Sequence, residues 1–215
     1  MKLFVDTADV DAIRRAHDTG LLDGVTTNPS KLAEVGRELR EVVAEICAIT
    51  PGPVSAEAMA EDCAGMVAEA VELSSIAPNV VVKIPMTTEG LKAIPIIEKE
   101  KNIRVNLTMV FSPTQALMGM KAGPTYLSIV LSRLDAIASD SDALVRDTVT
   151  IKRNYAFATE IIAGSVKTQS HMLSCLRAGV DVATIPEALF FKMMVHPLTD
   201  AALAQFARDW QTVPQ

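Results

Sequence analysis

The chain has 215 residues, 49% of them hydrophobic and 21% charged, enough apolar material for one domain with a substantial core. Its 20 Lys and Arg are scattered among 26 Asp and Glu, for a net charge of -6, so no basic stripe for a nucleic-acid partner can be drawn. Cys47, Cys63 and Cys175 are odd in number and lack any CxxC spacing, which excludes a disulfide framework or zinc ribbon and fits a reducing compartment.

The N-terminal "MKLFVDTADVDAI" has only a short apolar run before Asp6, and no stretch is long enough to span a bilayer, so a cytoplasmic protein with no membrane partner is expected. Short β-branched runs then recur: "KLFV" (2–5), "GVTT" (24–27), "PVSAEA" (53–58), "NVVVKI" (79–84), "IRVNLT" (103–108), "TYLSIV" (125–130), "EIIAGS" (160–165) and "VDVATI" (180–185). Segments such as 61–77 and 87–101 between them carry helical periodicity. This alternation predicts an α/β protein, a (β/α)8 TIM barrel in a single domain over residues 1–215. An open doubly wound sheet competes, but it would carry a Gly-rich turn after the first strand, and "FVDTADV" has none.

The tail "VHPLTDAALAQFARDWQTV" (195–213) adds a C-terminal helix at about 198–211, capped by Thr199 or Asp200, with Leu203, Phe206 and Trp210 at helical spacing. Such a face needs a partner surface, either the bottom of its own barrel or a neighbouring subunit.

In this fold the reactive groups sit at the C-terminal ends of strands. Asp6, Thr27, Asn28, Glu57, Lys83, Asn106, Thr108, Ser128 and Ser165 each close an apolar run and are the candidates. Each also has a plain structural role open to it. Asp6 or Ser165 can cap a helix, Asn28 before Pro29 can form a turn, and Glu57 with Lys83 can be a structural ion pair.

Lys83 decides between these readings, because three valines and an isoleucine frame it in "NVVVKI". An ammonium ion aimed into apolar surroundings is desolvated in its charged form, which favours the neutral amine. A neutral amine attacks carbonyls and forms a Schiff base, the electron sink for breaking an adjacent carbon–carbon bond. Glu57 and Asp6 are placed in the strand order to divide the proton transfers, and no metal or cofactor is required. His17, His171 and His196 fall outside strand ends and form no ligand-spaced cluster, so they read as surface or packing residues.

"FVDTADVDAI", "GLLDGVTTNPS", "GPVSAEA", "NVVVKIPMTTEGLKAI", "NLTMVFSPTQALMGMKAG", "SRLDAI" and "MVHPLTDAALAQFARDW" together resemble the small-subunit transaldolase family, which includes the fructose-6-phosphate aldolase type. The resemblance covers nearly the whole chain. It implies metal-independent class I chemistry, in which a ketose leaves its dihydroxyacetone unit on the enzyme and an aldose takes it away. By position, Lys83 resembles the Schiff-base lysine, and Asp6 the group that deprotonates the donor hydroxyl. Glu57 resembles the acid/base working through a water held by Thr108. Asn28 and Asn106 resemble the amides on the dihydroxyacetone hydroxyls, with Thr27 and Ser128 lining the same pocket. Aldolase-type members tend to carry Gln where this chain has Glu57, which favours transfer over release.

The anion-binding end departs from the family pattern. Where the family reads "SPFVGR", this chain has "SIVLSR" (128–133), and the later "SxR" is "SVK" (165–167). Arg133, Ser165 and Lys167 remain able to hold an anion, a sugar phosphate or a sugar sulfonate, with Val130 widening the wall beside them. The rivals to a transaldolase are a lyase using the same residues and an inactive barrel serving as a binding subunit. The family resemblance also implies a homo-oligomer, a pentamer or decamer, with the C-terminal helix reaching onto a neighbour.

Overall fold

The computed structural model describes residues 1–214, and in it eight parallel strands close a barrel in chain order, β8 pairing back onto β1. The strands are β1 (Lys2–Asp6), β2 (Gly24–Thr26), β3 (Val54–Glu57), β4 (Val80–Pro85), β5 (Val105–Val110), β6 (Tyr126–Val130), β7 (Glu160–Gly164) and β8 (Val182–Ile185). Every run expected as a strand is one, with ends moved by a residue or two. The (β/α)8 barrel expected from the sequence is therefore the fold observed.

Around the strands run α1 (Val10–Asp18), α2 (Pro29–Val35), α3 (Leu39–Ile49), α4 (Cys63–Ser74), α5 (Thr88–Pro95), α6 (Pro113–Ala122), α7 (Ser132–Asp135), α8 (Ser141–Asn154), α9 (Gln169–Ala178), α10 (Glu187–Lys192) and α11 (Pro197–Trp210). Side-chain oxygens of Asp9, Asp62, Thr87, Ser112, Asp140 and Thr168 accept the first free N–H groups of α1, α4, α5, α6, α8 and α9. The helix expected over 87–101 changes character at Pro95, which has no N–H to give, and continues as a π-helical turn over Ile96–Glu100.

Two apolar layers follow from the period-two alternation of strands. Outward-facing residues such as Val5, Val25, Val82, Leu107 and Ala163 join the helices in one continuous core. Phe4, Val81, Tyr126, Ile162 and Val182 form a separate plug inside the barrel. Two residues further along the same strands stand Asp6, Lys83, Ser128, Gly164 and Thr184, so the alternation that fills the floor also aims this ring upward into the mouth.

The C-terminal helix begins at Pro197 and is capped by His196, whose Nδ1 accepts from the Leu198 N–H. Thr199 and Asp200, expected as caps, lie within its first turn, because Pro at the first helical position starts the helix earlier. Leu203, Phe206 and Trp210 are 61%, 67% and 68% exposed, so α11 does not close the bottom of its own barrel. Among the described residues no helix is long and apolar enough to cross a membrane.

Candidate active site

A cavity of about 460 Å³ opens at the C-terminal mouth of the barrel, and Asp6, Asn28, Glu57, Lys83, Asn106, Thr108, Ser128, Arg133, Ser165 and Lys167 all line it. Of the site residues expected from the sequence, only Thr27 is missing from its wall. Thr26 and Thr184, which the sequence reading passed over, are part of it.

Lys83 is 8% exposed and is held at the cavity floor by two acceptors. Its Nζ donates to Glu57 Oε2 at 2.9 Å and to the Thr27 carbonyl at 3.1 Å. The expectation of largely apolar surroundings is corrected here. The β3–β4 register sets Glu57 directly opposite Lys83, and both side chains take the inward face. A desolvated ammonium with a carboxylate in contact has its proton acceptor already in place, so the neutral amine can arise by transfer within the pair.

Thr27 belongs to the outward set, as Val25 does. Its hydroxyl donates to the Ser55 carbonyl at 2.7 Å, and only its carbonyl reaches the site, under Lys83. Thr26, one residue earlier, faces inward. Its hydroxyl lies 3.0 Å from Asp6 Oδ1 and 2.7 Å from the Thr184 hydroxyl. With one proton each, the ordering that satisfies all three has Thr184 donating to Thr26 and Thr26 to Asp6. Asn28 serves two ends: its Oδ1 accepts the Lys31 N–H at the start of α2, while Nδ2 stands 3.5 Å from Asp6 Oδ1. The capping role weighed for Asn28 and its place in the cavity therefore coexist.

On the opposite wall, Asn106 is fully buried and fixed by two serines. Its Oδ1 accepts from Ser128 Oγ at 2.7 Å, and its Nδ2 donates to Ser55 Oγ at 3.3 Å. The Thr108 hydroxyl, next inward on β5, has no hydrogen-bond partner among the described residues.

The far side of the mouth carries the cations. Arg133 in α7 and Lys167 after β7 both line the cavity, and neither has a carboxylate partner among the described residues. Ser165 adopts a positive φ of 55° and places its hydroxyl 2.6 Å from that of Ser132. Met109, also at positive φ beside an irregularity in the β5–β6 register, brings its sulfur to 3.9 Å from the Arg133 guanidinium. Lys31 adds a third cation to the rim, neutralised by Glu34 at 2.9 Å. Strand alternation counted from Asp6 would have found Thr26, and Asn28 before Pro29 marks the helix start that carries Lys31, but Met109 depends on a strand irregularity with no sequence signal. The geometry is that of a buried amine, the carboxylates of Asp6 and Glu57 held on separate strands, and an unneutralised cationic end in one cavity, with Glu34 paired to Lys31 at the rim.

The family model for Transaldolase/Fructose-6-phosphate aldolase matches residues 3–214. The chain belongs to this family. Proteins similar to it along their whole length include the probable transaldolase of Geotalea uraniireducens, 49% identical over 100% of both chains, and that of Geobacter sulfurreducens, 47% identical over 100% of both. The probable transaldolase of Pelotomaculum thermopropionicum is 48% identical over 99% of each chain. Among solved structures, thiamine phosphate pyrophosphorylase from Pyrococcus furiosus matches with a TM-score of 0.55 and 18% identity, covering 86% of this chain and 85% of that one. Orotidine 5'-monophosphate decarboxylase from Methanocaldococcus jannaschii matches with a TM-score of 0.58 and 16% identity, covering 86% and 87%. These two share the barrel architecture with this member of the transaldolase/fructose-6-phosphate aldolase family.

Proposed function

We propose that this enzyme is a class I transaldolase, which moves a dihydroxyacetone unit from an anionic ketose to an aldose through a Schiff base on Lys83. The observation that carries the reading is the Lys83 Nζ at the floor of a polar cavity, 2.9 Å from Glu57, with Asp6 lining the same cavity as a second, separately held carboxylate.

Glu57 takes the ammonium proton, and the freed amine adds to the ketone carbon. Glu57 then returns a proton to the carbinolamine oxygen, through a water held on Thr108, and that oxygen leaves as water. Asp6 removes the proton from the hydroxyl beyond the scissile bond. The electron pair of the breaking carbon–carbon bond flows into the iminium, leaving an enamine on Lys83 and a free aldose. A second aldose reverses these steps, with Asp6 returning the proton. The Thr184–Thr26–Asp6 chain orients the Asp6 carboxylate for this work, and Asn28 and Asn106 supply amides for the donor's hydroxyls.

Arg133 and Lys167 supply the charge for a phosphate or sulfonate on the sugar, and Glu57 favours transfer over release. Membership of a family with aldolase-type activity, with both carboxylates and the amine intact, weighs against an idle binding barrel. The exposed apolar face of α11 supports a homo-oligomer in which this helix covers a neighbouring copy, and the acidic net charge and lack of paired cysteines fit the cytoplasm.

Borohydride reduction in the presence of fructose 6-phosphate, followed by mass spectrometry, tests the core of the reading. A dihydroxyacetone-sized adduct on Lys83 is expected, and an unmodified Lys83 after full turnover would overturn it. Cleavage with and without erythrose 4-phosphate separates transfer from lysis.

A further inference from the structure

Beyond Ser165 the β6–β7 ladder ends, yet the two segments that carry the unneutralised cations remain joined. Up to that point ordinary ladder bonds do the joining: Leu131 N–H donates to the Gly164 carbonyl at 3.0 Å and Ser132 N–H to the Ser165 carbonyl at 3.3 Å. Past it, one side chain spans the gap. His171, in the first turn of α9, accepts the Lys167 backbone N–H on Nδ1 at 3.2 Å, and its Nε2 lies 2.8 Å from Asp135 Oδ2 at the end of α7. The imidazole is 14% exposed, and its own backbone N–H is held by Thr168 Oγ1 at 3.1 Å.

The arrangement fixes the tautomer. A nitrogen that accepts an N–H bears no proton, so Nδ1 is bare and the ring proton sits on Nε2, aimed at Asp135. One end of the ring therefore grips the backbone of Lys167. The other grips the four-residue helix in which Arg133 stands two places before Asp135. Neither contact touches the cavity, whose wall includes Arg133 and Lys167 but not His171. A long cation on an unanchored loop loses conformational entropy each time it closes on an anion, and an anchored backbone removes part of that cost beforehand.

We propose that His171 is a positioning residue for the charged end of the substrate: its neutral imidazole ties the Lys167 segment to α7 and so holds Lys167 and Arg133 over one anion. This rests on the reading of the cavity as an anionic-ketose site.

The test compares a phosphorylated ketohexose, fructose 6-phosphate, with uncharged dihydroxyacetone in wild type, His171→Ala and His171→Asn. Losing one net hydrogen bond of ordinary strength corresponds to about tenfold in affinity, so His171→Ala is expected to raise KM for the phosphorylated ketose about tenfold relative to the neutral donor, with a smaller change in kcat. Asparagine sets an oxygen where Nδ1 was, able to accept the Lys167 N–H, and is expected to recover most of that loss. If His171→Ala folds poorly, Asp135→Asn supplies a second arm with the packing kept, and an increase of about threefold in the same KM ratio is expected. A KM ratio unmoved in these variants, while wild type prefers the phosphorylated ketose, overturns the role of His171 and leaves the function standing. Equal losses for both donors overturn it too, since they mark a structural residue. Wild type indifferent to the phosphate removes the anionic-ketose reading itself, and this inference with it.

Discussion

Glu57 and Lys83 face each other across the β3–β4 ladder and meet at 2.9 Å. An ion pair at the floor of a cavity is poor evidence for stability, because the two groups give up water to form it, and better evidence for a proton that must move. Replacing Lys83 by Ala removes the amine to which the proposed mechanism assigns capture of the ketone. Turnover is expected to fall by at least about 10⁴-fold, with no reducible adduct, while binding of the anionic sugar survives through Arg133 and Lys167. Ketose titration followed by borohydride trapping checks both parts, and an adduct elsewhere on the chain would remove Lys83 from its role.

Glu57→Gln keeps the size and a hydrogen-bond acceptor beside Lys83 but deletes the charge and the proton carrier. Proton transfer by a positioned carboxylate contributes roughly 10²–10⁴-fold, so a loss in that range is expected in the transfer rate. The resemblance further implies that the remaining activity shifts toward free dihydroxyacetone, as Gln at this position accompanies the aldolase type. Product analysis with and without an acceptor aldose measures the ratio, and an unchanged transfer rate would free Glu57 from the proton path.

Burial pushes the Cys175 thiol up to about 12 and the Cys47 thiol up to about 11, from an ordinary value of 9.0. The native state thus holds these protons more tightly than the unfolded chain. Their contribution to stability is complete below pH 9 and is lost as the pH rises through the folded values, because the unfolded chain ionises first. The melting temperature is expected to fall between about pH 9 and 11, and less steeply in Cys175→Ala. Thermal unfolding across that range decides it, and parallel curves for the two proteins would show that the Cys175 thiol plays no part.

Gly90 lies in the first turn of α5, immediately after the strand that carries Lys83. A Cβ there would collide with the Pro85 carbonyl oxygen, a backbone atom that cannot swing away, and would press on Ile84 Cγ2 at 3.1 Å. Gly90→Ala is therefore expected to destabilise by about 1–3 kcal/mol, despite the better helix propensity of alanine. At this chain length that is a drop of roughly 2–10 °C in melting temperature. An unchanged melting temperature would mean that α5 shifts freely against β4.

Much of this site was legible because a barrel strand obeys a period of two. Asp6, Lys83 and Ser128 sit at the ends of apolar runs, and the fold puts such ends at the mouth. The same rule misled at Thr27, since proximity to a strand end does not say which face a residue takes. Counting by twos from Phe4 through Asp6 and across the ladder to Thr26 gives the correct threonine. The polarity around Lys83 was hidden for another reason. Its in-strand neighbours are apolar, but its contacts come from β3 and from the Thr27 carbonyl, 26 and 56 residues away in sequence. His171 read from the sequence as a surface or packing residue, because its contacts depend on Asp135 at the end of α7 and Lys167 after β7 being brought together by the fold.

The C-terminal helix supplies the last expectation. Leu203, Phe206 and Trp210 follow helical spacing and so share one face, yet each is more than 60% exposed. Aromatic side chains contribute most of their energy when desolvated, so a contiguous face of this kind is unstable toward association. The intact protein is expected to sediment at several times its 23.1 kDa chain mass. Phe206→Ala with Trp210→Ala is expected to shift it toward smaller species. Because neither side chain packs against its own barrel, the double substitution should change the stability of an isolated copy by no more than about 0.5 kcal/mol. A drop in assembly size without a drop in monomer melting temperature is the combination that a neighbour-covering helix requires. A wild-type protein that sediments as one copy would show instead that α11 stays bare in solution.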